Sequence, residues 1–155
     1  VTALPGGFRA HVANVGIKDD TDDFVIVATD SPSTAFGVFT TSSFAGPSVI
    51  VSREHLSTPR AQAVVVISKN ANVATGDEGL ANAREIVGAV ADRLGCASTD
   101  VLIASTGVIG RQYPMDRVRR GLAGIPSPLP CTDARPVAAG IMTTDTVAKI
   151  AEASV

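Results

Sequence analysis

Apolar residues along this chain fall into two patterns, short unbroken runs and longer stretches with helical spacing. The runs come first. "DFVIVATD" (Asp23 to Asp30) and "FGVFT" (Phe36 to Thr40) are rich in β-branched and aromatic residues, are separated by the turn-prone "SPST", and predict two strands. "PSVIVS" (Pro47 to Ser52), after the loop "SFAG", predicts another. "AQAVVVIS" (Ala61 to Ser68) and "VLIAS" (Val101 to Ser105) show no alternation, the pattern of central strands covered on both faces.

Helical spacing dominates later. In "GDEGLANAREIVGAVADRLG", Leu80, Ala83, Ile86, Val87, Val90, Ala91 and Leu94 recur at helical intervals behind an acidic first turn of Asp77 and Glu78. Gly95 stands where a left-handed residue ends such a helix. A second helix is expected to begin at Pro114, with proline in its first position, and to run through "MDRVRRGLAG" to the proline-rich "IPSPLP". "TDARPVAAGIM" predicts a third, with Thr132 as N-cap and Pro136 tolerated in the first turn. There is no internal repeat. Strands and helices alternate from Ala61 onward, so the expected class is α/β or α+β with a mixed sheet, in a single domain spanning 1–155.

Composition narrows this only a little. Hydrophobic residues at 45% against 18% charged make the chain globular, and aromatics at 4% without Trp leave Val, Ile, Leu and Ala to build the core. The net charge is -2 and the basic residues are scattered. The local cluster Arg117, Arg119, Arg120 reads as a solvated helix face, so nucleic acid is not an expected partner. No apolar run approaches the roughly 18 residues of a membrane span, and "VTALPGGFRAHVANVG" lacks the order of a signal peptide. The expectation is a cytoplasmic protein without membrane contact. A start at Val1 rather than Met predicts processing or a start late in the gene. Cys96 and Cys131 form no CxxC pair and are read as reduced, structural thiols.

Candidate chemistry sits in turns. His11 and His55 are the only histidines, and neither has a Ser, Cys or Asp at motif spacing, which argues against a Ser-His-Asp hydrolase or a zinc site. GxGxxG, GxxxxGK[ST] and GxSxG are all absent. In "ISKNANVATGDEG" (Ile67 to Gly79), the amides of Asn70 and Asn72 either fix a tight loop or bind a polar ligand. In "IASTGVIG", Thr106 and Gly107 could offer one hydroxyl and two backbone N–H groups at one point. That is either an ordinary strand-to-turn glycine or a cradle for an oxygen gaining negative charge. In "GIMTTDT" (Gly140 to Thr146), Thr143 and Thr144 are either caps or hydroxyl contacts to a substrate. The residues alone supply no nucleophile or base beside these turns.

Three stretches, "NANVATGDEGLANAREI", "LIASTGVIGRQYPMD" and "AAGIMTTDT", resemble blocks that occur in this order in ornithine acetyltransferases, the glutamate N-acetyltransferase family of arginine biosynthesis. The opening "LPGGFRAHVANVGIK" and "GVFTTSSFAGPSVIVSREHL" are similar to the same family, so the resemblance covers essentially the whole chain. "SKNAN", "FAGPSV" and "STGVIGRQYPM" resemble most the version found in clavulanic acid gene clusters.

The resemblance implies an N-terminal-nucleophile type of enzyme, with mixed sheets sandwiched by helices in an αββα fold. Its precursor cuts itself at an Ala-Thr bond into α and β chains. The new N-terminal Thr of the β chain carries an acetyl group from N-acetylornithine to glutamate by a ping-pong route, without a cofactor or metal. This sequence resembles the α chain, half of a two-chain enzyme with the nucleophile on its partner, in an expected α2β2 assembly. By the same resemblance Thr106 and Gly107 form the oxyanion hole and Thr143 contacts the amino-acid substrate. Three departures stand out. Lys69 and Ala74 replace a Gly and a Cys common in the family loop, and the "AKG" lysine is missing, Lys149 in "TVAKIAEASV" not being its equivalent. The family α chain also runs some tens of residues beyond Val155. Two other classes fit the residues: a self-cleaving aminopeptidase or amidase of similar fold, and a non-catalytic amino-acid-binding domain.

Overall fold

The computed structural model describes residues 3–18 and 20–153, so the chain ends at Val1 and Val155 lie outside the described residues. The unbroken run around Val64 forms the strand on which the sheet is laid. Four strands, β1 (Phe8–Ala13), β2 (Phe24–Thr34), β3 (Arg60–Ile67) and β4 (Val101–Ser105), lie side by side in that order. The pairs β1–β2 and β2–β3 are antiparallel, and β3–β4 is parallel. A parallel neighbour needs a crossover, and the strongly periodic segment supplies it as a helix. The expected mixed α/β sheet is present.

That crossover helix and three others pack around the sheet: α1 (Pro47–His55), α2 (Gly76–Leu94), α3 (Met115–Ala123) and α4 (Ala134–Gly140). Helix α2 buries Ala83, Ile86, Val87, Val90 and Ala91 against Phe24, Ile26, Ala63, Val65, Ile67, Val101 and Ile103, all on one face of the sheet. Gly95 ends it at φ 70, ψ 35, the left-handed geometry expected. Helix α4 contacts β1 and β2. On β3 and β4 the alternate residues Val64, Val66 and Leu102 stay half-buried and Ala104 is exposed. Among the described residues β4 is therefore an edge strand, not a central one, and neither strand is fully covered on its second face.

Beyond the placement of β4, four further sequence expectations need correction. Pro47–Ser52 is helix, not strand: Gly46 and Pro47 form a helix start with proline at N1/N2, and Ser48, Val51, Ser52 and His55 repeat at helical intervals. The β-branched Val49, Ile50 and Val51 mimicked a strand. Phe36–Thr40 is irregular, because no strand pairs with it among the described residues, and Phe36 and Val38 stand exposed. "SPST" is no turn; β2 bulges between Ala28 and Ser33 and resumes pairing at Ser33 with Ala61. Helix α4 is capped by Asp133, whose carboxylate accepts from the Arg135 N–H, rather than by Thr132. Strand β1 had no clear signal, since Arg9 and His11 interrupt its apolar residues.

The open edge of β4 is closed by polar side chains of α1. The Ser52 hydroxyl donates to Ile103 O at 2.6 Å and accepts from Ile103 N at 2.8 Å. Ser48 meets the Ser105 hydroxyl at 2.6 Å, and His55 Nδ1 reaches Val101 O at 2.7 Å. His55 is thus a half-buried edge cap rather than a surface residue. Helix and strand run antiparallel and nearly commensurate: four helical residues rise about 6 Å and two strand residues about 6.6 Å. Ser52→Ala leaves both Ile103 backbone groups unpaired and should cost about 1–3 kcal/mol in urea denaturation. The exposed Ser57→Ala should change stability by no more than about 0.5 kcal/mol.

Candidate active site

Topology gathers four loops at one end of the sheet. The carboxyl ends of the parallel pair β3 and β4 lead into loops 68–75 and 106–113. Strand β2 begins beside the end of β3, Phe24 opposite Ile67, so the preceding loop arrives there too. Ser68 Oγ donates to Gly140 O at 2.8 Å, bringing the end of α4 and the following turn to the same place. The carboxyl ends of strands are where open α/β sheets bind ligands.

Each loop is held by buried polar groups. Asp23, fully buried, accepts from Val15 N at 2.8 Å and Ile17 N at 2.7 Å, which fixes the loop carrying Lys18. Asn70 Oδ1 accepts from Asn72 N at 2.8 Å, and its amide reaches the carbonyls of Arg111 and Gln112. Asn72 donates to Gly79 O at 3.0 Å and accepts from the Thr75 hydroxyl at 2.8 Å. Both asparagines thus act as loop-fixing groups, the first of the two readings. Gln112 Nε2 donates to Thr75 O at 2.7 Å and ties the two loops together.

The backbone of the two loops forms a short irregular ladder past the strand ends. Thr106 N donates to Ile67 O, Val108 N to Lys69 O, Ala71 N to Val108 O and Gly110 N to Val73 O. Gly107 sits inside it at φ +128, where an added Cβ would lie 2.3 Å from Lys69 C and 2.6 Å from Lys69 O. No side chain fits that space. Lys69, Asn72 and Ala74 also take positive φ, of 73, 49 and 59. For a residue with a Cβ the left-handed region costs roughly 1–2 kcal/mol, so the Lys69 position is one a glycine would fill more easily.

One of the three donors expected at the turn is already committed. The Thr106 N–H is engaged by Ile67 O, which leaves the Thr106 hydroxyl and the Gly107 N–H. Among the described residues neither of these has an intramolecular partner, and both residues are exposed. They line an open cavity of about 420 Å³ together with Thr143, Thr144, Lys18, Lys69 and Val108. The structure therefore brings all three expected site residues, Thr106, Gly107 and Thr143, to one cavity. Lys149 is elsewhere, its ammonium paired with Asp145.

A buried hydroxyl chain that the sequence reading missed supports the turn. Ser48 bonds Ser105, Ser105 bonds the Tyr113 hydroxyl, and Ser105 directly precedes Thr106. Burial pushes the Tyr113 phenol above its usual range, while its bonds to Ser105, Ser48 and Asn72 pull the other way. The available signal was that a buried tyrosine needs a polar partner, and this is the chain's single Tyr.

The chain matches the ArgJ family over residues 9–155. The arginine biosynthesis bifunctional protein ArgJ 2 of Nostoc sp. is 51% identical over 150 residues, covering 97% of this chain and 39% of that protein. Glutamate N-acetyltransferase Oat2 of Streptomyces clavuligerus is 50% identical over 152 residues, with 97% of this chain and 39% of Oat2 covered. The crystal structure of an ornithine acetyltransferase from Mycobacterium tuberculosis, complexed with ornithine, matches with a TM-score of 0.84 at 34% identity, over 93% of this chain and 79% of that one. The chain thus spans about two fifths of the length of the curated relatives it matches.

Gly107→Ala should lower stability by about 2–4 kcal/mol, because the backbone contact must open and a strained φ must be held. Tyr113→Phe should cost about 1 kcal/mol, the net value of its hydrogen bond to Ser105. Thermal and urea unfolding would check both.

Proposed function

The chain belongs to the ArgJ family, and from that membership we propose that it is the α part of a self-processing glutamate N-acetyltransferase. Its substrates are N-acetylornithine and glutamate. The observation that carries this reading is the pair of unengaged donors, the Thr106 hydroxyl and the Gly107 N–H, at a cavity shared with Thr143. These donors suit an oxygen that becomes negative during acyl transfer.

The nucleophile is then the N-terminal Thr of a β chain, whose own amine serves as base. Its hydroxyl attacks the acetyl carbonyl of N-acetylornithine, and the oxygen turns anionic between Thr106 and Gly107. Collapse breaks the amide C–N bond, the leaving nitrogen takes a proton, and ornithine departs from an acetyl-Thr ester. The glutamate amine attacks that ester through a second oxyanion, and N-acetylglutamate leaves with the threonine hydroxyl restored. Thr143 contacts the amino-acid substrate in both halves.

Two further observations support the two-chain reading. This chain covers 79% of the solved Mycobacterium chain but 39% of the curated relatives, so that solved chain is about half as long as those relatives. The half-covered apolar residues Val64, Val66 and Leu102 offer a face on which a second chain packs. In this proposal residues 1–155 form one α-chain domain in a cytoplasmic α2β2 enzyme. The near-equal identity to the Nostoc ArgJ 2 and to Oat2, 51% and 50%, does not single out one pathway.

Intact-mass analysis and N-terminal sequencing of the full-length gene product should reveal a second polypeptide beginning with Thr. A single uncut species would overturn the self-processing mechanism. In the processed enzyme Thr106→Ala should lower kcat about 10²–10³-fold while folding normally. Turnover like that of the unmodified enzyme would remove Thr106 from the oxyanion hole.

A further inference from the structure

The cavity above Thr106 carries charge that acetyl transfer itself does not use. An acetyl group is neutral, and the oxyanion formed from it is served by the Thr106 hydroxyl and the Gly107 N–H. Yet two lysines, Lys18 and Lys69, line the same cavity, and among the described residues its lining includes no carboxylate. Neither lysine joins any of the ion pairs among the described residues.

Lys69 is the more constrained of the two. It is half-buried, and its ammonium donates to the Thr21 hydroxyl at 2.6 Å, a neutral partner that leaves two N–H donors for a ligand. Its backbone holds φ 73, where glycine would sit without strain, yet the chain keeps a cation there. Lys69 also lines a second depression of about 580 Å³ with its partner Thr21 and with Asp20, Asp22 and Asp145, the last already paired with Lys149. Lys69 thus stands between an acidic depression and a cationic cavity. A carboxylate that reaches the cavity meets two lysines there, Lys69 and Lys18.

We propose that Lys69 is a specificity-determining residue whose ammonium, with Lys18 in the same cavity, binds a carboxylate of the acceptor amino acid and so selects a dicarboxylate acceptor. The inference rests on the acetyl-transfer reading above. In a ping-pong enzyme kcat/KM for each substrate reports its own half-reaction. The ratio of the glutamate value to the N-acetylornithine value is therefore independent of how much enzyme is active or correctly folded.

The test uses the full-length, processed enzyme with Lys69→Gly and Lys69→Arg. Glycine suits the backbone at this position, so the first variant folds at least as readily. Losing a charged hydrogen bond to a carboxylate should lower the ratio about 10–100-fold in Lys69→Gly, and Lys69→Arg should restore it to within about threefold. An unchanged or increased ratio in Lys69→Gly, whether both half-reactions fall together or neither does, overturns the proposal. So does a lowered ratio that Lys69→Arg fails to restore, since charge would not then be the cause. Failure of the underlying reading looks different: the unmodified enzyme would transfer no acetyl group from N-acetylornithine to glutamate at all.

Discussion

The arrangement of the site depends on one backbone contact, the seating of Gly107 against the Lys69–Asn70 peptide. Parallel strands normally part company where their ladder ends, since each must turn into its own connection. Here β3 and β4 stay together for several more residues, because Val108, Ala71 and Gly110 continue the hydrogen bonding across the two loops. That continuation requires backbone to lie on backbone, and only a residue without a Cβ permits it at position 107. The same ladder decides which donors remain for a ligand. Thr106 N–H is drawn inward to Ile67 O, and the next N–H is left at the cavity with the Thr106 hydroxyl.

A second constraint reaches the same turn from the side. The exposed edge of β4 presents unpaired backbone groups, which a protein must cover or satisfy. Helix α1 satisfies them with hydroxyls and an imidazole rather than covering them with apolar side chains, and it can do so because helix and strand repeats nearly match along their shared direction. The last rung of that series is Ser48 to Ser105, and from Ser105 the chain of hydroxyls passes to Tyr113. The device that closes the sheet therefore also fixes the residue before Thr106. Edge satisfaction and site geometry are one structure here.

This explains what could be read from the sequence. Helix α2, its cap at Gly95, β3 and β4 were legible because burial against one core imposes a clean period over many residues. Helix α1 was not, because its inward stripe mixes Val51 with polar Ser48, Ser52 and His55, which face the strand edge, while Val49 and Ile50 are only half-buried, so hydropathy did not mark the helical face. Thr106, Gly107 and Thr143 were legible as residues, since small and hydroxylated side chains after apolar runs stand out. That Thr106 N–H is unavailable was not, for its partner Ile67 is remote in sequence and chosen by strand register. Lys18 was equally invisible, placed at the cavity by the buried carboxylate of Asp23.

The loop after β3 shows why such a site can remain rigid. Lys69, Asn72 and Ala74 all hold left-handed backbone within six residues, a conformation that local preference opposes at each of them. Asparagine tolerates it best, since its short amide bonds nearby backbone, and Asn72 does this through Gly79 O and the Thr75 hydroxyl. Lys69 and Ala74 have no such local compensation, so the ladder to loop 106–113 and the bridge from Gln112 to Thr75 must hold them. A loop kept in place by distant contacts has little freedom to relax toward a bound substrate. Hydrogen-bond donors stabilise a developing charge most when they need not reorganise as it forms, and strain borne by the neighbouring loop is the physical cost of keeping Thr106 and Gly107 in that state.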